Sequence, residues 1–353
     1  MALYWARYAE QRRSRFATPR HSQKGVALIS VLLIFVVATL IAVEMTERSQ
    51  LMIRRTANIL ANDQGQVYAR GAESFAMLTL QTLLDENPDA ATIASANLPP
   101  LVVDEGVISG RIVDLQSRFN INSLSNVSSS NAKDPQYDAF IRLLSALGYS
   151  GAEAEEIAAA IVDWIDENDQ PYQLSGVEDD HYLLLEQPYR AANQEIIDLS
   201  ELRLVRGISA DIFKKITPYL SALPNDVLIN LNTASVEVMM SLGENVTASI
   251  ASQVVEEREG EPLSALPSAF KDNDISVSNV VYGSEYYEIY SRADILGRSS
   301  FLISTLHLPQ TTAATPKVLR RKKIPSYVAA EMLSELGDVG VAGGGSGESG
   351  SGE

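Results

Sequence analysis

Residues 23–44 read QKGVALISVLLIFVVATLIAVE, and this stretch decides how the chain is organised. Val26 to Val43 is an 18-residue apolar run interrupted only by Ser30 and Thr39, and Glu44 ends it. At about 1.5 Å rise per residue such a helix is about 27 Å long, close to the hydrocarbon thickness of a bilayer. The basic residues precede it: Arg7, Arg12, Arg13, Arg15, Arg20 and Lys24 stand against Glu10 alone, a local balance of +5. The positive-inside tendency therefore places residues 1–25 in the cytoplasm and the body of the chain on the other side. A cleaved secretory signal would end its apolar core at a small-x-small site, which Leu40-Ile41-Ala42-Val43-Glu44 does not offer, so the anchor is expected to stay. Further on, Leu51, Ile59, Leu60, Val67, Phe75, Leu78 and Leu83 keep a helical spacing, and no proline interrupts them before Pro88. This pattern predicts a single long helix over 26–87, of which 26–43 is transmembrane.

The chain has 353 residues, 46% of them hydrophobic, enough for about two compact domains. Its net charge is −17, and because the first 25 residues are basic, residues 26–353 carry −22. An acidic body of that size repels phosphate chains and attracts divalent cations or basic partners. The absence of cysteine excludes a disulfide framework, a thiolate metal site and a thiol nucleophile. His21, His181 and His307 are scattered, and no nucleophile motif of the G-x-S-x-G kind occurs, so the reading is of a protein that is not an enzyme.

The junction Gln23-Lys24-Gly25-Val26-Ala27-Leu28 resembles that of type IV prepilin-like proteins, in which a glycine sits between a basic leader and the hydrophobic helix. The resemblance implies cleavage by prepilin peptidase after Gly25 and N-methylation of Val26 as the mature amino terminus. A plain signal anchor is the competing reading of this segment. The fifth mature residue is then Ser30, where most members of that family have glutamate. A carboxylate in a bilayer costs on the order of 3 kcal/mol unless it is paired, and in the family it is thought to pair with the terminal amine of the subunit ahead. A subunit with serine there has no electrostatic need of a predecessor, which suits the most distal place in a filament.

Beyond the long helix, Leu101 to Ile112 alternates around the turn signal Asp104-Glu105-Gly106, and Tyr286–Ile295 with Phe301–Leu308 flank Gly297. These read as two hairpins, and Val318–Ile324 as a further strand. An antiparallel sheet built from both ends of the chain leaves residues 120–280 as an insertion. That insertion reads as helical with weak repetition: Phe119-Asn120-Ile121-Asn122-Ser123-Leu124 is echoed by Ile229-Asn230-Leu231-Asn232-Thr233-Ala234, with glycines Gly148 and Gly243 closing the helices that follow. A third hairpin follows Asp198-Leu199-Ser200-Glu201, a capping-box pattern, with its glycine at Gly207. The stretch from Asn230 also resembles the helix-hairpin-helix modules of DNA-receptor proteins. Phosphate contacts need lysine or arginine, and none occurs from Ile216 to Glu257.

Between Leu143 and Tyr189 there are eleven Asp or Glu residues and no Lys or Arg. Carboxylates this dense repel one another unless a cation joins them, and hard oxygen donors on a helix end and a loop suit calcium better than zinc. The spacing is not that of an EF-hand. The candidate ligands are Asp163, Asp166, Asn168, Glu178, Asp179 and Asp180, with a solvated acidic face as the alternative.

The run DWID, then GVEDDHY, PYRAAN and SELRLVRG, resembles the inserted domain of the K-type minor pseudopilins of bacterial type II secretion systems, where calcium sites are known. The family's usual aspartate two positions past DWID is here Asn168. The resemblance implies an α+β pilin-like fold: a long N-terminal helix packed on an antiparallel sheet, with a large all-α insertion. The expected organisation is a leader at 1–25, the helix at 26–87, sheet segments at 88–119 and 281–325 around the insertion at 120–280, and a mostly disordered tail at 326–353, Gly/Ser-rich from Gly343. It further implies a tip heterotrimer with I-type and J-type minor pseudopilins, contact with other pseudopilins and prepilin peptidase, and residence in the inner membrane with a periplasmic body. No nucleic acid is expected as partner; a membrane-anchored DNA-uptake protein is the alternative. The string Arg320-Arg321-Lys322-Lys323 on the last strand is read as guarding a sheet edge or meeting an acidic partner.

Overall fold

The computed structural model describes residues 24–86, 95–104, 106–127, 134–273, 280–310, 315–325 and 328. The leader up to residue 23 and the C-terminal tail, apart from Val328, lie outside the described residues. The elements run α1 (Lys24–Glu86), β1 (Ser95–Val103), β2 (Gly106–Asp114), β3 (Phe119–Asn120), α2 (Pro135–Ala146), α3 (Gly151–Ile165), α4 (Asp179–Tyr182), α5 (Ala210–Ile216), β4 (Leu220–Ser221) and β5 (Ile229–Asn230). They continue with α6 (Val236–Met240), α7 (Ala248–Gly260), α8 (Ser268–Asp272), β6 (Val280–Val281), β7 (Tyr286–Ile295), β8 (Arg298–His307) and β9 (Lys317–Ile324).

The chain divides into two units, residues 1–61 and 62–353. In the first, α1 carries a stretch long and apolar enough to cross a membrane. Its hydroxyls turn back on its own backbone: Ser30 donates to the Val26 carbonyl at 2.9 Å and Thr39 to that of Phe35 at 2.7 Å. Each hydroxyl bonded in this way is satisfied within its own helix.

In the second unit, β1, β2, β7, β8 and β9 form one antiparallel sheet in that spatial order. The part of α1 from Asn62 onward buries Ala69, Ala72, Ala76 and Leu80 with Ile108, Ile112, Tyr287, Ile289, Leu302 and Leu306 of the strands. Small helix residues allow this close approach; a Cβ at Gly65 would stand 2.2 Å from Ser300 Oγ. One charge interrupts the apolar contact. Glu73, almost fully buried, accepts two 2.8 Å bonds from the Arg321 guanidinium and another from Ser304.

Between β2 and β7 the chain builds its largest core, around Phe140, Leu143, Ile161, Tyr182, Leu202, Leu231, Met239 and Phe270. Helix starts here are capped from the sequence: Asp134 caps α2, Ser150 with Glu153 forms a capping box on α3, and Asp198 with Glu201 forms one on the 3-10 turn Leu199–Leu204. Gly148 and Gly207 take left-handed φ of +86° and +82°, as helix ends favour, whereas Gly243 does not. The insertion also holds two small parallel ladders that the helical reading did not anticipate, β3 with β4 and β5 with β6.

Those ladders explain the repeated Asn-x-Asn sequence. Asn122 donates to the carbonyls of Ile196 and Leu223 and accepts from Ile196 N; Asn232 donates to those of Leu263 and Tyr282 and accepts from Leu263 N. Asn120 and Asn230 each accept from the amide two residues on. Each pair thus pins two distant strands of chain to one turn, and all four asparagines are buried. The basic string on β9, an edge strand, meets acids of its own chain: Arg321 holds Glu73, while Lys322, at 2.9 Å, and Arg320, at 3.8 Å, reach Asp198.

Candidate functional site

The acidic segment begins where α3 ends. Trp164 and Ile165 are buried, and α3 stops at Asp166, which has extended backbone angles. From there the chain loops through residues 167–178, enters α4 and returns at Tyr189–Asn193. Trp164, Tyr182 and Tyr189 pack ring against ring under this loop, with centroids 5.2–6.2 Å apart.

Asp163 is fully buried and holds the loop closed: its Oδ1 accepts from Tyr172 N at 2.7 Å and its Oδ2 from Val177 N. Gly176 is required for this closure, since a Cβ there would lie 2.3 Å from both Asp163 Oδ2 and Tyr172 N. Asp166 accepts from the Asn168 side chain at 2.6 Å through Oδ2, while its Oδ1 is buried without a partner. Glu178 is 6% exposed, and neither of its carboxylate oxygens has a hydrogen-bond partner. Asn193, at φ +45°, donates to Asn168 O and Asp169 Oδ1, and its own Oδ1 is likewise buried and unpartnered.

The electrostatics follow from this geometry. Burial pushes the Asp163 carboxyl up to about 6, and burial with the neighbouring Asp163 charge pushes Asp166 up to about 6. Glu178 rises to about 8, first through burial and then through Asp163, Asp166, Asp169 and Asp179. Buried anionic oxygens without donors are costly, and a proton or a cation must occupy such a place. Oxygen donors from a helix end and a loop are the hard set that calcium takes.

Of the six ligands read from the sequence, the structure leaves buried free oxygens on Asp166 and Glu178 and sets Asp163 between two backbone amides. Asn168 is exposed and pairs with Asp166 and Gln170. Asp179 accepts from Ala191 N and lies 3.6 Å from Arg190; Asp180 is exposed. Among the described residues no three His, Cys, Asp or Glu side chains are disposed as a ready-made metal cluster. Asn193 and Asp169 were not anticipated. Asn193 does lie in the PYRAAN stretch, but an amide among small residues carries no charge signal, and its place beside Asn168 is set by the return of the chain.

A long N-terminal helix packed on an antiparallel sheet that is interrupted by a helical head defines a pilin-like subunit. The sequence pattern described as type II secretion system (T2SS), protein K matches residues 117–225 and 229–275. Type II secretion system protein K of Pseudomonas aeruginosa is 34% identical over 301 residues, covering 81% of this chain and 89% of that relative. That of Pectobacterium carotovorum subsp. carotovorum is 41% identical over 224 residues, 61% of this chain and 67% of the relative. The chain belongs to the type II secretion system protein K family. Its fold is similar to a chain in the crystal structure of the GspK-GspI-GspJ complex from the enterotoxigenic Escherichia coli type 2 secretion system, with a TM-score of 0.63 at 24% identity, covering 77% of this chain and all of the other.

Proposed function

We propose that this chain is the minor pseudopilin at the distal tip of the type II secretion pseudopilus, where it initiates or caps the filament with I-type and J-type minor pseudopilins during export of folded proteins across the outer membrane. The observation that carries the reading is Ser30. At the fifth residue after Gly25, a neutral hydroxyl already satisfied by the Val26 carbonyl stands in place of the carboxylate that would seek a preceding subunit. The solved assembly of K, I and J proteins supports the choice of partners. In this account the function resides in assembly surfaces and not in an active site, and the body faces the periplasm from a single span in the inner membrane.

Processing belongs to the same proposal: prepilin peptidase cuts between Gly25 and Val26 and the new terminus is N-methylated. Mass spectrometry of membrane-extracted protein tests this, and an intact Gly25–Val26 bond would return the segment to a plain signal anchor. The tip assignment is tested by co-purifying the chain with I-type and J-type subunits and mapping its place in filaments. A stable ternary complex at one filament end is expected; recovery of the chain along the filament shaft would overturn the reading.

The acidic loop would hold calcium through Asp166 and Glu178, with Asn193 completing the oxygens and Asp163 fixing the loop; Asn168, Asp179 and Asp180 stand at its border. Bound there, the ion supplies charge neutralisation for a loop in a stretch that has no lysine or arginine between Leu143 and Tyr189. The DNA-uptake alternative loses support because the Asn230–Asn232 turn that opens the resembling stretch is buried and spent on internal bonds.

A further inference from the structure

Where the second Asn-x-Asn turn meets the end of the sheet, a groove of about 790 Å³ opens. Among its lining residues are Val227, Leu228, Tyr282 and Tyr286, together with the acidic Asp226 and Glu285. No lysine or arginine lines it among the described residues. Its two sides are tied together by one buried side chain. Gln116 accepts from the amides of Glu285 and Tyr286, at 2.7 and 3.2 Å, and donates to the Leu228 carbonyl at 2.9 Å. The groove is therefore held open in advance, which lowers the ordering cost of binding.

The aromatic wall is held as well. Tyr286 stacks on His307 with ring centroids 4.6 Å apart, and His307 Nε2 lies 3.5 Å from Glu285. Asp226 and Glu285 line the same groove as Tyr286, and Glu285 also accepts from Gln310 N at 3.0 Å through its other oxygen. Asp226 is exposed and pairs with no basic side chain among the described residues. Apolar surface for a hydrocarbon stem, aromatic residues and two carboxylates match one side chain best: arginine, whose planar guanidinium stacks on rings and bonds carboxylates through paired N–H groups.

We propose that this groove receives an arginine side chain presented on a loop of another protein chain. The proposal goes beyond the tip assignment and does not depend on it. It is tested with fluorescent GSGRGSG peptide and the full chain in detergent, alongside GSGKGSG, GSGQGSG and free arginine amide. The arginine peptide is expected to bind, the lysine peptide several-fold more weakly and the glutamine peptide not measurably. Asp226→Asn, at an exposed site that leaves the fold intact, should weaken binding about tenfold, and Tyr286→Leu should do the same. The control Asp211→Asn, exposed elsewhere on the insertion, should leave it unchanged. Equal binding of the glutamine peptide, indifference to Asp226→Asn, or an equal loss with Asp211→Asn would overturn the proposal, the last by revealing general attraction to an acidic chain. Free arginine amide binding as well as the peptide would overturn the assignment to a protein loop.

Discussion

Two buried carboxylates in this molecule have opposite surroundings. Asp114, the last residue of β2, accepts from Gln116 N at 2.8 Å, Ser284 Oγ at 2.6 Å, Thr233 Oγ1 and the Asn230 amide, so it ties the sheet to the second Asn-x-Asn turn. Glu178 is buried with no donor on either oxygen. Both are raised by burial, Asp114 to about 6 and Glu178 to about 8; bonds from its four donors hold the first down, while surrounding aspartates drive the second further up. Burial alone does not identify a binding site. What distinguishes the two is whether the chain has already supplied the carboxylate's partners.

The largest expected effect lies at the satisfied end of this comparison. Asp114→Ala removes an interior acceptor shared by four donors, of which Asn230 keeps Ser284 Oγ and Thr233 keeps the Asn230 carbonyl, and the urea unfolding free energy of the full chain in detergent should fall by about 3 kcal/mol. A loss under about 1 kcal/mol would show that the hydrogen bonds do not hold the sheet to the insertion. Next, calcium at about one hundred times its dissociation constant should stabilise the protein by about 2.7 kcal/mol. The melting shift should vanish in Asp166→Ala combined with Glu178→Ala; identical melting curves with and without calcium in the parent chain would place Glu178 with the protonated carboxylic acids.

Gly176→Ala, which drives a methyl group into the Asp163 clamp, should cost about 1–3 kcal/mol and reduce the calcium shift at the same time. Loss of stability with an unchanged shift would separate the clamp from the cation. The last effect is in pH. Asp163, Asp166 and Glu178 have folded-state values above their usual ones, so with chelator present the stability they contribute is complete below about pH 4 and is lost as pH rises through about 6 and then about 8. Melting temperature should therefore decline from pH 5 to pH 8 without calcium and decline less with it. Asp198 works in the other direction: bonds from Lys322 and Ser200 hold it near 2, and its contribution is present above about pH 4 and lost as pH falls toward 2. A melting profile without calcium that rises from pH 5 to pH 8 would contradict the placement of the acidic loop.

Periodicity and punctuation made much of the fold legible. The long apolar run from Val26, the lack of proline until Pro88, and the alternation around Asp104-Glu105-Gly106 and Gly297 made the helix and the hairpins readable, because each signal is local in the chain. The acidic run located the candidate loop for the same reason. Less legible were the ligands within it, since eleven equivalent carboxylates differ only in what surrounds them. Asp163 and Glu178 lie fifteen positions apart in sequence; backbone amides reach the first and none reach the second.

From its linear order alone the chain settles an apolar stretch long enough to cross a membrane, the long helix and the head inserted between sheet strands, because hydrophobic spacing and turn residues act over a few residues at a time. Tertiary structure decides which polar groups are already used: the asparagine pairs close on Ile196 and Leu263, Arg321 closes on Glu73, and Glu178 is left without a donor. Hydrogen-bond satisfaction inside a protein depends on contacts across a hundred residues or more, as between Asp114 and Ser284, and no local pattern encodes it.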